Sequence, residues 1–154
     1  MTNRDEIMAL VSSYARAVDD RDVPRILGCF VDDAHVEFDG GTSVVDGVTA
    51  LAEFFESALV QPRMGTTGTS THLMSNVTVE FDPSDPDVAT VETQAVAFLA
   101  SDERNTVVIR GLRYSDGCLR TQEGWRIARR VHRSLWQCEA PGGVLSATAG
   151  QGHG

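Results

Sequence analysis

Tyr14, Asp19 and His72 are the residues of this chain whose types could combine into proton-transfer chemistry, provided folding brings them together. A carboxylate hydrogen-bonded to one imidazole nitrogen fixes the tautomer, leaves the other nitrogen as a base, and stabilises the imidazolium once a proton arrives. A free imidazole titrates near pH ~6.5, so at neutrality such a base is largely deprotonated. Chemistry of this kind runs without a cofactor, and none is expected. Tyr14 has two open roles: a core aromatic whose hydroxyl finds a partner, or a donor to a substrate carbonyl or leaving hydroxyl.

The elements that must position these groups follow from periodicity. Ile7, Leu10, Val11, Tyr14, Ala17 and Val18 recur at helical spacing, with Thr2 or Asn3 as cap and Asp5 and Glu6 in the first turn. At about 100° per residue, Asp19 projects from the flank of that stripe, whereas Asp20 points toward solvent. Pro24 suits the first turn of a second helix carrying Ile26, Leu27 and Phe30. His35 to Phe38 reads as a short strand. Asp46 is placed to cap a third helix with the stripe Val48, Leu51, Phe54, Phe55, Ala58 and Leu59, and Gln61 to Ser70 is loop-like.

Beyond that loop the period changes to two. His72 to Phe81, Val88 to Ala100, Thr106 to Thr121 and Gly124 to Trp136 are successive strand candidates joined by turn-forming clusters. Helices followed by hairpin-linked strands predict an α+β domain with an antiparallel sheet. Strict alternation puts Leu73, Val77, Val79 and Phe81 on one face and His72, Met74, Asn76 and Thr78 on the other. That second face suits either a pocket wall or a partly solvated sheet surface.

Composition removes several classes. At 154 residues the chain holds one domain, expected over residues 1–138, with a Gly- and Ala-rich tail over 139–154 that is mobile or covers a pocket. A net charge of −9 argues against a nucleic-acid partner. The thirteen basic side chains are all arginine, so a Schiff-base or P-loop lysine is excluded. Cys29, Cys118 and Cys138 show no metal or disulfide spacing, and the isolated histidines indicate no metal site. The polar start and the lack of a long apolar run point to a cytoplasmic protein without membrane association.

The segment YARAVDDRDVPRILGCFVDDAHVEF, the later THLMSNVTVEF and the closing RGLRYSDGCLRTQEGWRIARRVHRSLW resemble the SnoaL-like branch of the NTF2-like superfamily. The resemblance spans roughly residues 5–136 and implies a cone-shaped barrel, with N-terminal helices packed in a curved, mainly antiparallel sheet around a deep pocket. It implies an Asp–His dyad at Asp19 and His72, with Tyr14 matching a helix tyrosine of the scytalone and bile-acid dehydratases. By similarity to hexachlorocyclohexane dehydrochlorinase, Arg130 is the arginine placed inside, stabilising developing negative charge. His132 shares its face. Where the dehydratases carry a second acid or base, this chain has Thr93, Gln94, Ala95 and Ala97, so a single base is expected. Met74, Asn76, Gln94 and His132 complete the expected substrate contacts, while Asp116 and Arg120 are expected in a strand bend with surface pairing.

The function implied is a cofactor-independent lyase or isomerase acting on a mostly apolar, cyclic or polyketide-like small molecule. Polyketide cyclase or water-activating hydrolase chemistry in the same pocket is the first alternative. A non-catalytic ligand-binding or subunit-organising module is the second. A homo-oligomer, dimer or trimer, is expected.

Overall fold

The computed structural model describes residues 1–60, 68–101 and 104–143. Helix α1 (Asn3–Asp19) opens with a reciprocal cap: the Asp5 amide donates to Thr2 Oγ1 at 3.2 Å, and the Thr2 amide donates to the Asp5 carboxylate at 2.9 Å. Its stripe of Ile7, Leu10, Val11, Tyr14, Ala17 and Val18 is buried, as the periodicity predicts. Arg21, at φ +55°, then turns the chain into α2 (Val23–Leu27), whose first turn holds Pro24 and is capped by Asp22.

Strand β1 (Phe30–Phe38) is longer than expected, because Phe30 belongs to it rather than to the second helix. A short β2 (Ser43–Asp46), not foreseen, pairs antiparallel with β1. Helix α3 (Gly47–Phe55) buries Leu51 and Phe55 and passes into a π-helical turn, Glu56–Val60. Asp46 stands at the cap position without making a side-chain cap bond, and its carboxylate meets His35 Nδ1 at 2.5 Å instead.

The long strands are β3 (Gly68–Asp82), β4 (Asp85–Ser101), β5 (Thr106–Thr121) and β6 (Gly124–Pro141). His72 therefore lies inside its strand instead of opening it. Residues 139–141, assigned to the tail, continue β6 opposite β5; 144–154, and 61–67 of the expected loop, lie outside the described residues. The sheet order is β2-β1-β6-β5-β4-β3, with β1 and β6 parallel and the other neighbours antiparallel. This curved, unclosed sheet packs on the helices, the α+β cone of the NTF2-like fold.

Along β4 the core face is regular: Ala89, Val91, Thr93, Ala95 and Ala97 are buried and the residues between them point outward. On β3 the regularity breaks. A bulge between Ser75 and Thr78, with Asn76 at φ +48°, inserts an extra residue and reverses the face that follows. His72 and Met74 consequently share the inner face with Val77 and Val79, whereas Leu73 is 55% exposed. The strict alternation read from sequence is thus corrected: it holds on each side of the bulge but not across it. A second bulge, in the β5–β6 pairing at Gly117/Cys118, turns both Ile127 and Arg130 inward although they are three residues apart.

Candidate active site

The end of α1 delivers Asp19 to the inner face of β3. Its Oδ1 lies 2.6 Å from His72 Nδ1 and accepts the Ser70 hydroxyl at 2.9 Å, while Oδ2 accepts the His72 backbone amide at 2.8 Å. Three donors from one short stretch of strand therefore hold the carboxylate in place. An ionised carboxylate only accepts, so the geometry assigns the imidazole proton to Nδ1 and leaves the Nε2 lone pair free for chemistry. Nε2 has no hydrogen-bond partner among the described residues. The side chains keep some exposure, 11% for His72 and 21% for Asp19.

Arg130 is inside, but it is already engaged. Its Nε and Nη2 donate to the two oxygens of Asp116, each at 2.7 Å, and both side chains are only 1% exposed. The guanidinium also lies 4.1 Å from the ring centre of Tyr14 and 4.5 Å from that of Tyr114. Burial opposes its charge, but the adjacent Asp116 carboxylate outweighs burial and raises its proton affinity. The expectation of Asp116 in surface pairing is corrected: a bidentate partner takes it into the core. Arg120, by contrast, is exposed and meets Asn3 and Glu6 at the surface.

Tyr14 is 5% exposed and packs edge-on against Phe30 and Tyr114. Burial raises the pKa of its hydroxyl, with Arg130 pulling the other way. His132 faces the same interior, 5.2 Å from the Tyr114 ring centre and 5.6 Å from that of Phe38. Its Nδ1 is buried without a hydrogen-bond partner, and the Asp39 carboxylate stands 3.6 Å away. Burial lowers the His132 pKa; Asp39 opposes that, and Arg130, Arg110 and His72 reinforce it. Phe38, stacked 4.2 Å from Phe54, adds an apolar wall, and Met74 packs on the core from β3.

Asn76 and Gln94 do not join this group. The Asn76 amide donates to Gln94 Oε1 at 2.6 Å, and both residues are exposed on the outer face. The bulge moved Asn76, and Gln94 lies between the inward-facing Thr93 and Ala95, which are buried. Their expected place in the pocket is corrected. Sequence reasoning also missed Ser70 and Tyr114. Ser70 was legible as the next inward residue before His72 on an extended strand. Among the described residues, no group of three or more His, Cys, Asp or Glu is placed to hold a metal, and no helix is long and apolar enough to cross a membrane.

With this geometry established, comparison with known proteins fixes the family. The SnoaL-like domain family matches residues 1–131, and the chain belongs to it. An uncharacterized protein of Mycobacterium tuberculosis is 25% identical over 140 residues, covering 89% of this chain and 88% of its own. Among solved structures, a proposed scytalone dehydratase of Novosphingobium aromaticivorans superposes with a TM-score of 0.77 at 17% identity, covering 92% of each chain. A hexachlorocyclohexane dehydrochlorinase of Novosphingobium barchaimii does so with a TM-score of 0.74 at 18% identity, covering 89% of each. At such identities the likeness defines the fold.

Proposed function

We propose that this protein is a cofactor-independent lyase or isomerase whose base is His72, acting on a mostly apolar, cyclic or polyketide-like small molecule. The carrying observation is the 2.6 Å contact between Asp19 and His72 Nδ1, because it leaves Nε2 deprotonated and aimed by a fixed tautomer. Nε2 takes a proton from a carbon next to a carbonyl or leaving group, and Asp19 balances the imidazolium that forms. His132, whose pKa is lowered by burial, faces the same interior and can offer a ring N–H as a hydrogen bond to the departing group. The aromatic wall of Phe38, Phe54 and Phe55 suits an apolar ring system. Dehydratase and dehydrochlorinase names among the fold's neighbours support elimination chemistry.

The test is solvent exchange. A panel of cyclic β-hydroxy ketones is incubated with the protein in D₂O, and deuterium uptake and elimination are followed by NMR. Wild type is expected to exchange the proton next to the carbonyl, and His72→Ala to lose at least ~100-fold in that rate. Equal rates in His72→Ala and wild type would sink the proposal.

A further inference from the structure

The inner face does not end at the dyad. On successive rows across β3, β4 and β5, His72 aligns with Ala97 and Arg110, and Ser70 with Leu99 and Val108. A cavity of about 150 Å³ lies over the second row, lined by Ser70, Leu99 and Val108 and bordered by Arg21, Arg104 and Arg110. It is contiguous with the dyad, because Ser70 is itself a donor to Asp19.

The arginines of this cavity differ in their partners from five others among the described residues. Arg25, Arg120, Arg126, Arg129 and Arg130 each face a carboxylate. Arg21 and Arg110 are oriented by neutral acceptors: the Gly68 carbonyl takes a bond from Arg21, and Gln137 Oε1 takes one from Arg110 Nε at 2.8 Å. Arg104 has no side-chain partner among the described residues. Of the carboxylates around the cavity, Asp19 has its oxygens engaged by Ser70 and His72, and Glu139, opposite Val108 on β6, makes no ion pair with the three arginines. In a chain of net charge −9, three guanidinium groups that form no ion pair among the described residues gather positive charge around one hollow with apolar flooring. Such a hollow matches an oxyanion attached to a hydrocarbon.

We propose that this cavity binds the carboxylate of an amphipathic organic acid, so that the substrate presented to His72 carries its anion on Arg21, Arg104 and Arg110. Ser70 and His72 are two residues apart on the strand, about 7 Å. A carboxylate over the Ser70 row therefore sets a ring carbon several bonds away at Nε2. The consequence for catalysis rests on His72 being the base; the binding site does not.

Calorimetric titration of the purified protein with 2-naphthoate, its neutral analogue 2-naphthamide and 2-naphthyl phosphate tests the assignment. Naphthoate is expected to bind at least ~10-fold tighter than the amide, the scale of one charged hydrogen-bonded contact. Its affinity should fall as sodium chloride is raised while that of the amide holds. Arg104→Gln and Arg110→Gln should each weaken naphthoate about 5- to 10-fold and leave the amide unchanged. Arg113→Gln, on the outer face opposite Gln94, should change neither. His72→Ala should keep the preference for acid over amide, so wild-type exchange in that variant with the preference intact counts against the base and not against the cavity. Equal affinity for acid and amide, or indifference to Arg104→Gln, overturns the proposal. A phosphate ester binding more than ~10-fold tighter than naphthoate overturns the carboxylate assignment. Arg104 bears no side-chain bond in the described structure, so its variant keeps the test valid if Arg110→Gln fails to fold.

Discussion

Two ion pairs face the interior of this fold, and they are built in opposite ways. Asp116–Arg130 is dry, bidentate and sandwiched between tyrosine rings, with every carboxylate oxygen taken by a guanidinium that does not deprotonate. Asp19–His72 keeps some exposure, joins a carboxylate to a group that titrates, and leaves one ring nitrogen open. A permanent charge pair in a dry site has nothing left to exchange, whereas a partly wet carboxylate–imidazole pair is able to take up a proton and return it. The difference fits an architectural role for Asp116–Arg130 and the proposed proton transfer for Asp19–His72. It also revises the expectation for Arg130, which packs on Tyr14 and Tyr114 with its Nε and Nη2 committed to Asp116 and its Nη1 buried without a hydrogen-bond partner.

The comparison breaks most visibly at Arg130. Arg130→Ala leaves Asp116 charged and buried, and an expected loss of ~3–5 kcal/mol in unfolding free energy is measurable by urea denaturation. Asp116→Leu/Arg130→Met, which removes both charges, should recover most of that loss. If it does not, the pair carries more than its own desolvation.

Next in size is the proposed dyad. His72→Ala and Asp19→Asn should each cost at least ~100-fold in proton exchange while unfolding free energy changes by less than ~2 kcal/mol. A stability loss as large as that of Arg130→Ala would erase the distinction between the pairs. Ser70→Ala removes one of the three donors to Asp19, and a fall of about 3- to 10-fold in rate is expected from steady-state kinetics.

The smallest effect concerns pH. Burial holds folded His132 below the ordinary histidine value, so the unfolded chain binds that proton more readily. The stability it contributes is fully present above pH ~6.5 and is lost as pH falls toward the folded value. His35 shifts the other way, raised by hydrogen bonds to Asp46 and Glu37. Its contribution is present below pH ~6.5 and is lost as pH rises through its folded value. Thermal unfolding of wild type and His132→Gln between pH 7.5 and 5 isolates the first effect. Wild type should lose melting temperature relative to the variant on acidification, since His35 cancels in the difference.

Much of this was legible from local pattern. The stripe of α1, its Thr2 cap and the choice of Asp19 over Asp20 follow from helical geometry, because those features depend on residues within a few turns of one another. The pairing of Asp19 with His72 came from family resemblance, and the structure brings the two side chains together. The failures have two causes. A bulge costs a strand only one residue and leaves little trace in hydropathy, yet it reverses every side chain beyond it. Asn76 was misplaced for that reason. Gln94 and Asp116 were misjudged because the side that an isolated polar residue faces depends on its neighbours across the sheet.

By itself the sequence determined the order of helices and strands, the family, the absence of lysine chemistry and the residue types able to move a proton. Those are properties of periodicity and composition. Only the tertiary structure decided which charges meet. Asp19 found His72 from 53 positions away, Arg130 found Asp116 on the neighbouring strand, and Arg21, Arg104 and Arg110 border a hollow without an ion pair among the described residues. Burial and partner choice set whether a charge is structural or reactive, and both are fixed by the curl and register of the sheet.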